Sequence, residues 1–241
     1  LDTMPEFINL FFNYPHTIKH ISQISEDIIP DKMINLDMAY ETYPKENAID
    51  VYYQFAGIKG QSRNAKLYVN KNAPKWIFEK YVVLHIDDTS MPHRNARDID
   101  WVKVYSFLKD KGYEVIQVGK RKSETIGVQM HTEEIPMLMY LLAGAEFVIG
   151  IDSGITQIAV ALGVKSIIFT GAVDLRLRYK SFDKIEVIKT PCPSEVHEYC
   201  YHSKVSTVGV SCVFDKDNPP CTQYSHLQVI NSINNLLCKE K

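Results

Sequence analysis

The sequence has no apolar run long enough to cross a bilayer and no charged leader followed by an apolar core. A cytoplasmic protein is therefore the expectation, with peripheral contact to a membrane as the closest approach to one. It has no excess of either charge. There are 27 Lys and Arg against 29 Asp and Glu, a formal net charge of −2. That excludes a general nucleic-acid binder, which needs a basic surplus. There is no internal repeat and no low-complexity tract. No Gly-rich loop opens the chain, and its five cysteines include no C-x-x-C pair. What remains has the composition of an ordinary globular protein, 45% hydrophobic and 23% charged. With 241 residues it holds one large domain, or one full and one partial domain.

One stretch organises the rest. Phe147, Val148, Ile149 and Ile151 form a short, nearly all-apolar run, as in a strand covered on both faces. Asp152, Ser153 and Gly154 break it. From Ile155 to Leu162 the apolar residues Ile155, Ile158, Ala159 and Leu162 fall at helical spacing, and Gly163 can close the helix in a left-handed conformation. Val164 to Phe169 reads as a second buried strand. Open α/β sheets bind ligands at the carboxyl ends of their strands, where this turn falls. A helix amino end carries unsatisfied N–H groups and suits a phosphate. Gly154 admits a ligand close to the backbone, Ser153 offers a hydroxyl, and Asp152 can accept from a sugar hydroxyl. A plain helix cap made by Asp152 and Ser153 fits the same residues.

In chain order, Glu6–Asn13 reads as a helix and Lys32–Asp37 as a short strand. A helix is expected over Asn47–Ile58, a strand at Leu67–Val69, and a polar linker at Asn70–Trp76. Alternation then becomes regular. Tyr81–Ile86 is a strand, and Asp98 is the expected cap of a helix presenting Trp101, Val104, Tyr105 and Leu108. Glu114–Val118 and Thr125–Met130 are strands. Thr132 should cap a helix buried through Met137, Leu138, Leu141 and Leu142. After the central stretch come a basic loop (Arg176, Arg178, Lys180), a strand at Lys184–Ile188, and a last helix. That helix opens on a Ser225–Gln228 capping box and carries Leu227, Ile230, Ile233 and Leu237. The expected fold is α/β: a Rossmann-like parallel sheet over 76–241, preceded by a partial α/β domain over 1–75. The strand-end loops should bring several cations to one helix amino end, which suits a diphosphate.

The residues Val148–Gly163 resemble the donor-binding signature of lipopolysaccharide heptosyltransferases: a strand, Asp-Thr-Gly-Leu, then a helix with a His and small residues. Ser153 stands where Thr is usual and Gln157 where His is usual. Upstream, Gly112-Tyr113 and Gly119 also fit, and Arg94 falls where the family has a phosphate-binding Lys. The resemblance implies a GT-B fold with the C-terminal domain holding a nucleoside-diphosphate sugar. It implies inverting transfer to a hydroxyl of a glycan, lipid-linked or protein acceptor, with no metal required for the step. Donor-binding residues would be Arg94, Lys120, Asp152, Ser153, Gly154 and Gln157. The family's base lies in a Gly-rich N-terminal loop that these residues lack, so either the chain is truncated or the activity has changed. A non-catalytic nucleotide-sugar-binding module is the alternative.

Cys192, Cys200, Cys212 and Cys221 lie close together in sequence, with His197 and His202 among them. Clustered thiols in a cytosolic chain suit a tetrahedral structural iron or zinc, while buried free thiols or a disulfide remain open. Some heptosyltransferase-like enzymes that modify surface proteins have a four-Cys iron site in a comparable place. Cys238 is expected to do no more than pack.

Overall fold

The computed structural model describes residues 34–36, 39–69, 78–86, 89, 91–119, 125–130, 134–195, 199–202 and 211–238. Within them lie strands β1 (Tyr81–His85), β2 (Glu114–Val118), β3 (Val128–Met130), β4 (Phe147–Ile151), β5 (Lys165–Phe169) and β6 (Ile185–Ile188). The helices are α1 (Ala48–Ala56), α2 (Trp101–Asp110), α3 (Ile135–Ala143), α4 (Gly154–Ala161) and α5 (His226–Cys238). The strands form one six-stranded sheet in the order β3-β2-β1-β4-β5-β6. Every pairing is parallel. The chain runs outward from β1 to β3, returns beside β1 as β4, and runs outward the other way. The fold is therefore α/β and Rossmann-like, with its switch point between β1 and β4.

Both sheet faces are covered at the centre, which is why β1 and β4 are buried at every residue. Alternate residues of β1 enter opposite cores. Val82 and Leu84 pack with Val104 and Leu108 of α2 and Val229 and Ile233 of α5. Tyr81 and Val83 pack with Leu138 and Leu141 of α3 and Ala159 of α4. Gly163 takes the left-handed conformation expected after α4 (φ +79°).

Several local expectations are corrected. The cap of α2 is Asp100, whose carboxylate accepts from the Lys103 N–H at 3.2 Å. Asp98 lies too early, and Ile99 between them is drawn into the core. On α3, Leu138, Leu141 and Leu142 are buried as expected, but Met137 is 46% exposed and Met139 takes its place in the core. On α5, Leu227 is 59% exposed, and Val229, Ile233 and Leu236 face the sheet. Cys238 is exposed rather than packed. Leu67–Val69 is not a strand; the Leu67 N–H donates to the Ala161 carbonyl at 2.8 Å. Residues 34–36 are irregular, and the rest of that expected strand lies outside the described residues. So do Glu6–Asn13, Asn70–Trp76 and Thr132.

Residues 39–69 lie against the loop that follows β5. Asn47 caps α1 by accepting from the Ile49 N–H at 3.0 Å. Its amide donates to the carbonyls of Arg176 (2.7 Å) and Tyr179 (3.1 Å). Lys180 pairs with Asp50 at 2.6 Å, and Asn64 donates to the Ser181 carbonyl at 2.9 Å. The described residues between β6 and α5 (191–195, 199–202 and 211–222) belong to an excursion whose ends meet, where the Thr190 hydroxyl donates to the Gln223 carbonyl at 2.7 Å.

Candidate functional site

The carboxyl ends of β1 and β4 meet at the switch point. Gly150 permits this. A β-carbon there would stand 2.8 Å from the Thr156 methyl and 2.9 Å from the His85 carbonyl oxygen. With the strand end pressed so closely, the Ser153 hydroxyl reaches His85 Nδ1 at 3.0 Å. Ser153 is the N-cap of α4, in extended conformation, and Thr156 completes a capping box. The Ser153 N–H donates to Thr156 Oγ1 at 3.1 Å, and that hydroxyl donates to the Ile151 carbonyl at 2.8 Å. Beside the cap, Gly154 faces open space: a β-carbon on it would meet nothing within 4 Å. The amino end of α4 is thus accessible along its glycine.

Asp152 does not cap the helix. It is 2% exposed and held from two sides. Arg94 donates through Nη2 to the Asp152 carbonyl and approaches its carboxylate at 3.4 Å. Gln157, one turn into α4, donates to the other carboxylate oxygen at 3.4 Å. Arg94 ends a short helical turn, Pro92–Arg94, that Gly171 holds in place. Gly171 sits at φ +51° with its α-carbon against the His93 carbonyl, where any side chain would collide. The Ala172 N–H donates to that same carbonyl at 2.9 Å, and the Gly171 N–H donates to the Tyr224 hydroxyl at 2.9 Å.

The basic loop divides. Arg176 pairs with Asp174 at 2.7 Å and Lys180 with Asp50, both facing outward. Arg178 turns inward. Its guanidinium lies 4.9 Å from the Tyr40 ring and 5.5 Å from the Tyr201 ring, and Arg94 lies 5.6 Å from the same Tyr201 ring. Burial works against the Arg178 charge, but nearby Tyr40 and Asp152 outweigh it and raise its pKa. Burial, with Asp152 second, also keeps the Tyr179 hydroxyl protonated. Burial first and Arg94 second push the His93 pKa down.

The structure thus brings together Arg94, Asp152, Ser153, Gly154 and Gln157. Lys120 lies outside the described residues. His85, Arg178, Tyr40 and Tyr201 are additions. In the sequence, Arg178 is one cation among three, and no periodicity shows which of them points inward.

All five cysteines are free thiols. Burial first, then the neighbouring Cys200, Cys212 and Cys192, raise the Cys221 pKa to about 12. Cys200 is raised by burial and then by Cys212 and Cys192. Among the described residues, no group of three or more His, Cys, Asp or Glu side chains stands in metal-holding geometry.

No family model matches the sequence, and no curated protein matches it. Solved structures do. The iron-containing dodecameric glycosyltransferase TibC from enterotoxigenic E. coli matches with a TM-score of 0.65 and 18% identity, over 83% of this chain and 55% of that one. The heptosyltransferase TibC in complex with ADP-D-beta-D-heptose matches with a TM-score of 0.70 and 17% identity, over 92% and 63%. A glycosyl transferase family 9 structure from Veillonella parvula matches with a TM-score of 0.57 and 13% identity, over 91% and 64%. The chain spans less than two thirds of each of these proteins. Six parallel strands in this order, and the likeness to these structures, establish that the chain has the α/β Rossmann-like fold of heptosyltransferase-type glycosyltransferases.

Proposed function

We propose that this chain is the donor-binding part of a GT-B-type glycosyltransferase. It would transfer a heptose-like sugar from a nucleoside-diphosphate sugar to an acceptor hydroxyl, with inversion. The observation that carries this reading is the open amino end of α4 at the switch point, flanked by Arg94 and the buried Asp152. A helix amino end beside a guanidinium is a phosphate site, and a buried carboxylate next to it suits a sugar hydroxyl. The three similar structures are of glycosyltransferases, one with ADP-heptose bound, which supports the same reading.

In this chemistry the acceptor oxygen attacks the anomeric carbon and forms the new C–O bond. The bond from that carbon to the diphosphate breaks, and its electron pair stays on the diphosphate oxygen. The acceptor proton passes to a base, a role not assigned to any described residue. Arg94, the α4 N–H groups and Lys120 would carry the growing negative charge; each such donor commonly contributes about 3–4 kcal/mol. Residues 1–75 would belong to a partial acceptor-side domain, with a glycan, lipid-linked or protein acceptor. A cytoplasmic location, with peripheral membrane contact, suits such an acceptor. No helix among the described residues is long and apolar enough to cross a membrane.

The four cysteines clustered in sequence also suit a structural iron or zinc. Cys192, Cys200, Cys212 and Cys221 would be its ligands, deprotonated by the cation and cross-linking the 191–222 excursion. Elemental analysis of purified protein should find one equivalent of metal; four titratable thiols without metal would reject this.

Thermal unfolding with ADP-heptose and with UDP-, GDP- and dTDP-sugars tests the main reading. A ligand at a hundred times its Kd adds about 2.7 kcal/mol of stability. One of these donors should raise the midpoint and be consumed when an acceptor is supplied. If none shifts it, the chain is not a donor-binding domain.

A further inference from the structure

β6 is an edge strand. It pairs with β5 on one side, and among the described residues no strand pairs with its other side. The Lys184 and Ile188 carbonyls accept from the N–H groups of Ser166 (2.9 Å) and Thr170 (3.1 Å), so both face inward. Backbone direction alternates along a strand, which turns the N–H and C=O of Val187 outward. The Val187 side chain is 39% exposed and lines a cavity of about 420 Å³. Lys189, two residues on and on the same face, lines it too. Leu175 and Phe182 add apolar wall. Opposite them, Lys189 Nζ lies 4.7 Å and the Arg176 guanidinium 5.8 Å from the Tyr199 ring. Tyr199 holds that ring from a left-handed conformation (φ +55°), which is unfavourable for a residue with a side chain. Asp174 is the one carboxylate among the described lining residues, and Arg176 holds it at 2.7 Å. The lining therefore carries two cations against one anion.

We propose that the free edge of β6 and this cavity together dock an extended peptide segment of a partner protein, with an acidic side chain seated between Lys189 and Arg176. The peptide pairs with Val187 as an added strand, and its alternate side chains fall on the cavity face. An aliphatic residue two positions from the acidic one meets Leu175, Phe182 and Val187. The surplus positive charge selects against a basic segment. The outward N–H and C=O select a peptide over a glycan, which offers no strand to add. Lys189 stands at the carboxyl end of β6, the end of the sheet at which α4 opens, two strands and about 10 Å away. The docking does not depend on the donor-binding reading, since it needs neither nucleotide nor sugar.

Fluorescence polarisation of the whole chain with two labelled peptides tests this. One is Thr-Val-Thr-Asp-Thr-Val-Thr, which puts Asp and two Val on one face, and the other has Lys in place of Asp. Wild type should bind the Asp peptide at least tenfold more tightly than the Lys peptide. Lys189→Glu should reverse that order, a result that lost folding cannot produce. Val187→Pro should weaken the Asp peptide at least tenfold while the melting point holds, because the N–H it removes points away from β5. Lys103→Glu, the same charge change on the exposed side of α2, should leave the order as in wild type. Equal binding of the two peptides, an order that Lys189→Glu does not alter, or no binding of either peptide overturns the proposal. Two further results overturn it and name another occupant, each in the absence of peptide binding. Attachment to phosphatidylglycerol vesicles that Lys189→Glu abolishes would make the cavity a lipid site. A dimer that Val187→Pro abolishes would give the edge to a second copy of the chain.

Discussion

At the residue scale, charge and space make opposite demands within a few ångströms. Asp152 is buried and depends on Arg94, so Arg94→Ala leaves a carboxylate without its cation. Breaking such a pair costs about 3–5 kcal/mol when fully buried, and somewhat less here because Arg94 is partly exposed. Urea denaturation should show a loss of about 2 kcal/mol or more, and titration should show donor affinity down at least tenfold. Asp152→Ala should lower donor affinity to a similar degree; unchanged binding in both would reject the site. Two glycines four positions apart should behave differently. Gly150→Ala pushes a methyl into Thr156 and the His85 carbonyl and should cost about 2 kcal/mol. Gly154→Ala enters open space, so its melting point should hold while nucleotide affinity drops. His93 adds a pH dependence. Its pKa is lowered by burial and by Arg94, so the folded state favours the neutral ring. The resulting stability is present above the unfolded pKa of about 6.5 and is lost as pH falls through the lower folded value. Unfolding midpoints should fall below about pH 6.5 in wild type and flatten in His93→Gln.

At the element scale, the hydrophobic pattern located the strands and helices around the sheet to within a residue or two, apart from β3, which begins at Val128 rather than Thr125. Burial on both faces makes the central strand β4 a nearly unbroken apolar run, which is visible in sequence. The pattern was less reliable about which side of a helix faces in. Met137 and Met139 are equally apolar; the crossing of α3 over the sheet selects the second. It was blind to side-chain direction in loops, where Arg176, Arg178 and Lys180 look alike. The pairing of Arg176 with Asp174 and of Lys180 with Asp50 leaves Arg178 to turn inward, and one of those partners is far away in sequence. The motif Asp152-Ser153-Gly154 was legible because a strand-to-helix turn has a short list of solutions. The helix cap at Asn47 performs a second task, since its amide also holds the loop after β5. Asn47→Ala should cost about 1–2 kcal/mol from the lost cap and bonds. Hydrogen exchange should show α1 opening more readily, whereas unchanged protection of α1 would contradict the docking role.

At the scale of the whole molecule, the sheet and the site depend on different parts of the chain. The sheet domain is closed by α2, α3, α4 and α5. The site borrows Tyr40 from before the sheet and Tyr201 from the excursion over 191–222. Replacing residues 191–219 by a short Gly-Ser link should leave the far-ultraviolet circular dichroism nearly unchanged, because Thr190 and Gln223 already stand side by side. The same replacement should abolish tight ADP binding, because Tyr201 leaves with it. A large loss of helical signal would show instead that the excursion is part of the core. The closed base has a further consequence. A detour whose two feet touch can change length between its packed residues, provided Tyr201 and Cys221 still return to the core they share with Ile168 and Ala172. Chains built this way should be compared by superposing that returning tyrosine and the two feet, since matching them by residue count along the detour would pair positions that share no surroundings.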